Sequence, residues 1–202
     1  MTDLPALFGP IDIYLFDQLL RGRIRPGMSV FDAGCGGGRN LVFLLREGYE
    51  VYGLDANPEA IRSVRALASE LAPSLPAANF RMEPLESSSF PDEVADVVLS
   101  SAVLHFARDE EQFRAMLLGS WRLLKPGGLF FCRLASAIGM EDRVIPLAGR
   151  RFRLPDGSER FLVDEAYLLE LTAELGGELL DPLKTTVVQD QRCMTTWVLG
   201  KP

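Results

Sequence analysis

The residues whose types and spacing suit binding chemistry are two aspartates and the glycine cluster between them. Val30-Phe31-Asp32-Ala33-Gly34-Cys35-Gly36-Gly37-Gly38-Arg39-Asn40 reads as a short buried strand that enters a glycine-rich turn and opens a helix. Such a turn lets backbone pass close to a ligand, and a helix N-terminus has N–H groups to offer the ligand's polar end. Asp55 stands directly after the next strand-like run, Val51 to Leu54. In an open α/β sheet an acid at that place reaches a nucleoside ribose across the crevice at the strand ends. Taken singly, the first feature is also compatible with a ligand-free turn, and Asp55-Ala56-Asn57-Pro58 with a polar turn before a helix. Together they favour a nucleoside.

The nucleoside is expected to be S-adenosylmethionine, because two departures argue against a dinucleotide. A dinucleotide loop carries a small third residue, so that helix and strand close around a pyrophosphate. Arg39 occupies that position here. Asp32 also precedes the first glycine by two residues, where a carboxylate repels a pyrophosphate but suits a ligand carrying an ammonium and a sulfonium.

The elements that must hold these residues alternate. A helical spacing of Ile13, Phe16, Leu19 and Leu20 predicts a helix within 11–20, and Val30 to Ala33 predicts the first strand. A helix is expected from Asn40 to about Glu47, closed by Gly48. The second strand leads to a helix capped by Asn57, with Pro58 in its first turn and Ile61, Val64, Leu67, Ala68 and Leu71 on its buried face. Strands follow at Phe80 to Met82 and Val97 to Ser100, then a helix from about Glu110 to Leu124. Lys125-Pro126-Gly127-Gly128 should turn the chain into a fifth strand, Leu129 to Leu134. This alternation predicts an α/β fold, Rossmann-like and doubly wound, with a mostly parallel seven-stranded sheet. After a helix from Asp164 to Leu175, runs near Leu183 to Val188 and Cys193 to Leu199 are separated only by Gln189-Asp190-Gln191. That link is too short for a parallel crossover, so the sheet should end in a C-terminal antiparallel strand.

The 202 residues suit one domain, 1–202, with 11–135 as the cofactor-binding core. A net charge of -7 opposes long-range attraction to phosphate backbones, so nucleic acid is not the expected partner. No apolar run approaches membrane-spanning length, and Met1-Thr2-Asp3-Leu4-Pro5 lacks the pattern of a leader, so a cytoplasmic protein is expected. Cys35, Cys132 and Cys193 are odd in number and show no CxxC pairing, which fits reduced thiols. His105 is the single histidine, which argues against a histidine metal site; no metal is expected.

Four motifs in order resemble the class I S-adenosylmethionine-dependent methyltransferases, of the type 11/25 kind. They are Asp32-x-Gly34-Cys35-Gly36-x-Gly38, Gly53-Leu54-Asp55, the stretch Asp96-Val97-Val98-Leu99-Ser100-Ser101-Ala102-Val103-Leu104-His105, and Leu124-Lys125-Pro126-Gly127-Gly128. The Gly38-Arg39-Asn40 ending is also similar to tellurite- and thiopurine-type small-molecule methyltransferases. The resemblance implies that Gly34, Cys35 and Gly36 line the methionine portion, with Asp32 near its ammonium, and that Arg39 is among the cofactor-binding residues. It implies that Asp55, beside Ala56, binds both ribose hydroxyls, and that Ser100 and Ser101 line the cleft. Where the family often has an acid for the adenine amino group, this chain has Pro84, so Glu83 or the backbone at Leu85 would serve. The implied activity is methyl transfer to a small-molecule acceptor. The alternatives are a cofactor-binding sensor or partner subunit without transfer, and a nicotinamide-dependent oxidoreductase. The oligomeric state is left open.

Two further expectations concern the acceptor. His105, beyond the fourth strand, is the candidate base for a hydroxyl acceptor, or else a packing and hydrogen-bonding residue. The long connection 136–163 should contain a β-hairpin around Pro155-Asp156-Gly157. As a lid it would bury Phe152 and Phe161 against the acceptor, with Arg151 and Arg153 aimed at an anionic group. Otherwise it packs at the sheet edge with solvated arginines.

Overall fold

The computed structural model describes residues 3–202; Met1 and Thr2, which open the segment read for a leader, lie outside the described residues. The main sheet is built from β1 (Ser29–Ala33), β2 (Glu50–Asp55), β3 (Phe80–Met82), β4 (Ala95–Ser101), β5 (Leu124–Ala135), β10 (Lys184–Val188) and β11 (Arg192–Gly200). Its order is β10-β11-β5-β4-β1-β2-β3, and a short β9 (Glu178–Leu179) pairs with β11. Strands β1 to β5 run parallel, whereas β11 lies antiparallel to both β5 and β10. The doubly wound sheet with a C-terminal antiparallel strand is thus the architecture of this chain. A separate three-stranded antiparallel sheet consists of β6 (Ile145–Ala148), β7 (Arg151–Arg153) and β8 (Glu159–Phe161).

Helices α1 (Leu4–Phe8), α2 (Ile13–Leu20), α3 (Val42–Arg46), α4 (Pro58–Leu71), α5 (Glu110–Leu123) and α6 (Glu165–Glu174) complete the chain. The central strands are apolar on both faces, which requires helices on both. Phe31, Val98, Phe130 and Trp197 pack under α5 and α6; Val30, Val51, Val97 and Phe131 pack under α2, α3 and α4. Helix starts are fixed by side-chain caps: Asn57 accepts the Glu59 N–H, Asp109 the Gln112 N–H and Asp164 the Tyr167 N–H. No helix among the described residues is long and apolar enough to cross a membrane.

Two local expectations are corrected. The helix after the glycine turn starts at Val42 rather than Asn40. Residues 35–41 form successive turns, Gly38 N–H to Cys35 C=O and Leu41 N–H to Gly38 C=O, both 2.9 Å. The Asn40 side chain instead accepts the backbone N–H of Asp12 at 3.0 Å. Lys125 to Gly128 lie within β5 as an irregularity: Ala95 pairs with Leu124, but Val97 already pairs with Leu129. Asp96 pins that corner, accepting the Ser29 N–H at 2.8 Å and meeting Lys125 Nζ at 3.0 Å. Trp121, on α5, lies in the core.

Candidate functional site

From β1 the chain winds outward through β2 and β3, then returns to place β4 on the other side of β1. The carboxyl ends of β1 and β4 therefore diverge, and a crevice opens there. It holds a cavity of about 780 Å³ whose wall includes Asp32, the 34–40 turn, Asp55, Ala56, Glu83, Leu85 and Ser101. The fold thus brings most of the expected cofactor residues to one place.

The turn owes its path to glycine. Gly34 has φ 89°, and a Cβ there would lie 2.5 Å from Val103 Cγ2; Gly38 has φ 85° and would meet Leu67 at 2.8 Å. The N–H groups of Gly34 and Cys35 both donate to Leu54 C=O at 2.9 Å, and Gly36 N–H donates to Asp55 Oδ2 at 2.9 Å. These donors are engaged inside the protein and hold the turn in place. Charge complementarity at this end falls to Asp32.

Asp32 is 2% exposed and faces the cavity. Its carboxylate accepts no side-chain or backbone hydrogen bond among the described residues. Burial raises its pKa to about 7, with Arg39 opposing the rise and Asp55 adding to it. A buried acceptor without a donor carries a desolvation cost that a ligand cation relieves. That is the fit expected for the ammonium end of S-adenosylmethionine. Asp55 is differently placed. Its Oδ1 accepts the Asn57 N–H at 2.8 Å and its Oδ2 the Gly36 N–H, so two backbone donors orient the carboxylate at the cavity wall.

The remaining residues sort by face and partner. Cys35 lines the cavity, but burial, then Asp32 and Asp55, push its thiol well above the ordinary range, so it is no nucleophile. All three cysteines are buried and free. Arg39 Nη2 donates to Ser101 Oγ at 3.1 Å. Burial opposes ionisation of Glu83, yet the hydroxyl and N–H of Ser89 hold its carboxyl below the usual range. Ser100 is corrected: side chains alternate along β4, so Ser101 reaches the cavity wall while Ser100, fully buried, points to the opposite face beside its partner Cys132.

His105 does not line this cavity. It is 5% exposed, and its Nδ1 accepts the Ala135 N–H at 3.1 Å. Burial, then Arg160 and Arg133, lower its pKa to about 4. The ring is therefore neutral with its proton on Nε2, a donor rather than a base. His105 lines a second cavity of about 250 Å³, which shares Ala102 with the first. Ala102 has φ 64°, a left-handed conformation uncommon outside glycine, at the junction of the two.

The expected hairpin is present as β7 and β8, but its arginines face elsewhere. Arg151 donates to Ala107 C=O at 3.1 Å, and Arg153 meets Glu159 at 3.0 Å; neither lines either of these two cavities. Phe161 is a core residue stacked on Phe113 at 4.5 Å, and Phe152 packs with Leu154 and Leu162. Arg160, opposite Phe152 in the register, is the hairpin's cavity-lining arginine.

Sequence reasoning missed Asp12, Arg133, Arg160 and Arg192. Asp12 is buried and caps α2 while its Oδ2 meets Arg133 at 3.0 Å and Ser101 Oγ at 3.3 Å. Its position just before a helix signalled only the cap. Among the described residues, no three His, Cys, Asp or Glu side chains cluster to hold a metal.

Comparison with known proteins agrees with this geometry. Residues 31–132 match a family model described as a methyltransferase domain. An uncharacterised methyltransferase of Synechocystis sp. is 35% identical over 107 residues, 53% of this chain and 47% of that protein. A ubiquinone biosynthesis O-methyltransferase of Methylobacterium nodulans is 35% identical over 209 residues, 96% of this chain and 80% of that protein. The chain spans less than two thirds of the length of the first curated relatives it matches. A solved S-adenosylmethionine-dependent methyltransferase of Methanosarcina mazei superposes with a TM-score of 0.67 at 22% identity, covering 91% of this chain and 96% of that one. The sheet order, the glycine turn between two aspartates and these matches lead to one conclusion: the chain belongs to the class I S-adenosylmethionine-dependent methyltransferases.

Proposed function

We propose that this chain transfers the methyl group of S-adenosylmethionine to a small-molecule acceptor. The observation that carries the proposal is the donor-less, buried Asp32 facing the same cavity as Asp55. Asp32 binds the ammonium, Asp55 the ribose hydroxyls, and Gly34, Cys35, Gly36 and Ala56 form the surface between them. Glu83 and Leu85 flank the adenine end, and Arg39 and Ser101 close the side toward Asp12. The curated relatives support a small acceptor: the Methylobacterium protein is named for ubiquinone biosynthesis.

The cofactor, when bound, supplies a methyl on an already activated sulfonium leaving group, so the reaction is an in-line displacement. The chain's own contribution is alignment and exclusion of water; alignment alone is worth about 7 to 11 kcal/mol. His105 takes no proton in this scheme, because its Nδ1 is occupied and its Nε2 is protonated. Titration of the chain with S-adenosylhomocysteine, and assay of S-adenosylhomocysteine released from S-adenosylmethionine across a metabolite panel, test the proposal. One site per chain and turnover with a small acceptor are expected. Tight binding with no turnover on any acceptor would assign a cofactor-binding protein instead, and absence of binding would overturn the proposal.

A further inference from the structure

The second cavity is lined by charges that the cofactor does not use. Three guanidinium groups reach it from distant parts of the chain: Arg133 from β5, Arg160 from β8 and Arg192 from β11. Two carboxylates oppose them. Asp156 lines the cavity, its Oδ1 held by the N–H and O–H of Ser158, and Asp12 lies 3.0 Å from Arg133. Asp12 is shared with Arg39, 3.9 Å away at the cofactor cavity, so the three arginines keep an excess of positive charge here. His105 adds none, because it is neutral, but its ring keeps an N–H to donate. Arg133 supplies a second observation: its Nε is buried and has no hydrogen-bond partner among the described residues. A guanidinium whose N–H is buried and unpaired is incomplete without an acceptor.

We propose that this cavity is the acceptor's site and that it selects a small molecule bearing a single carboxylate. The proposal rests on the methyl-transfer reading. The volume, about 250 Å³, admits a group the size of one substituted ring. The excess positive charge suits an anionic group, and a cavity of this size takes one carboxylate. The site adjoins the cofactor cavity through Ala102, and Arg160 stands 4.8 Å over the ring of Phe106, which lines the cofactor cavity. A carboxylate in the cavity can take the planar fork of Arg160, with Arg133 and Arg192 on the same wall.

The test is calorimetric titration of benzoate into the full chain, with and without saturating S-adenosylhomocysteine. Benzamide serves as the neutral isostere and phenyl phosphate as the dianion. Benzoate should saturate one site, with benzamide at least about tenfold weaker. Arg160→Met keeps the contact with Phe106 but removes the charge, and should weaken benzoate by about fivefold or more while S-adenosylhomocysteine binds as before. Arg133→Met leaves Asp12 buried without its partner and is prone to unfold, so Arg160→Met carries the test. No saturable benzoate binding, equal binding of benzamide, or indifference to Arg160→Met would overturn the proposal. Phenyl phosphate binding more tightly than benzoate would overturn the monoanion assignment. Failure of S-adenosylhomocysteine to bind would instead refute the methyl-transfer reading, and the benzoate arm without it reports on the cavity separately.

Discussion

Replacing Asp32 with asparagine should make the empty protein more stable and the cofactor complex weaker. The carboxyl is buried with no donor, and its pKa stands at about 7 against 3.8 for an ordinary aspartate. Between those values the folded chain holds a proton that the unfolded chain has released. Stability therefore falls as pH rises through this window, and the whole loss is present above it. The displacement corresponds to about 4 kcal/mol at ~1.4 kcal/mol per pH unit. Asp32→Asn removes the charge but still buries an amide, at a cost of about 1–3 kcal/mol. The net gain at about pH 8 is then about 1–3 kcal/mol, or several degrees in Tm for a chain of this length. At about pH 4, where the wild-type carboxyl is protonated, the gain should be gone and only the amide's cost remain, leaving the variant about 1–3 kcal/mol less stable. Thermal melts of both proteins across pH measure the difference directly, and the difference isolates Asp32 from the other titrating groups. S-adenosylhomocysteine should bind the variant about 10- to 100-fold more weakly, the worth of a hydrogen bond to a charged group. A variant no more stable than wild type at about pH 8, or a difference that does not change with pH, would refute the burial argument. Unchanged S-adenosylhomocysteine affinity would show that the ammonium lies elsewhere.

Asp55→Ala should weaken S-adenosylhomocysteine by about 2 kcal/mol or more, read by calorimetry, since it removes a charge-assisted contact and frees the Gly36 and Asn57 N–H groups. His105, with its pKa lowered to about 4, should show no titration of its ring protons by NMR above about pH 5.5; as the single histidine it gives one unambiguous signal. Because its folded pKa lies below the unfolded value, the stability that this neutral ring confers is complete above about pH 6.5 and is lost as pH falls toward 4. A midpoint near the ordinary histidine value would restore it as a candidate base. Gly38→Ala forces a Cβ into Leu67 and Val64 at φ 85° and should cost about 1–3 kcal/mol in denaturant melts.

The cofactor side was legible because its signals are local. Asp32 and the glycine turn lie within a few residues of one another, Asp55 ends the very next strand, and the α/β alternation alone brings the β1, β2 and β4 ends together. The turn at Gln189-Asp190-Gln191 made the antiparallel end equally readable. What failed on this side failed by one residue or by one partner. Ser100 and Ser101 were assigned together, though adjacent strand residues face opposite sides. The helix was expected to open at Asn40 but opens at Val42, because Asn40 turns its side chain to the Asp12 N–H, and no sequence pattern shows that.

The acceptor side depends on register and on contacts between distant segments. In the hairpin, Arg151 and Arg153 share one face and Arg160 pairs with Phe152 on the other. A shift of one residue exchanges the faces, and charge-apolar alternation reads the same either way. Only the docking of β8 beside the Leu104–Phe106 turn decides that Arg160 meets the cavity. Arg133 sits in the middle of a buried strand, where an arginine is costly unless paired. Its partner, Asp12, is 121 positions away and looks in sequence like a helix cap. Asp12 serves both purposes: one oxygen caps α2 through the Tyr14 N–H, and the other binds Arg133 and Ser101. Through Ser101 it also meets Arg39 at the cofactor cavity. A buried acid joining an arginine of each cavity ties the two sites into one charged network, anchored where α2 begins.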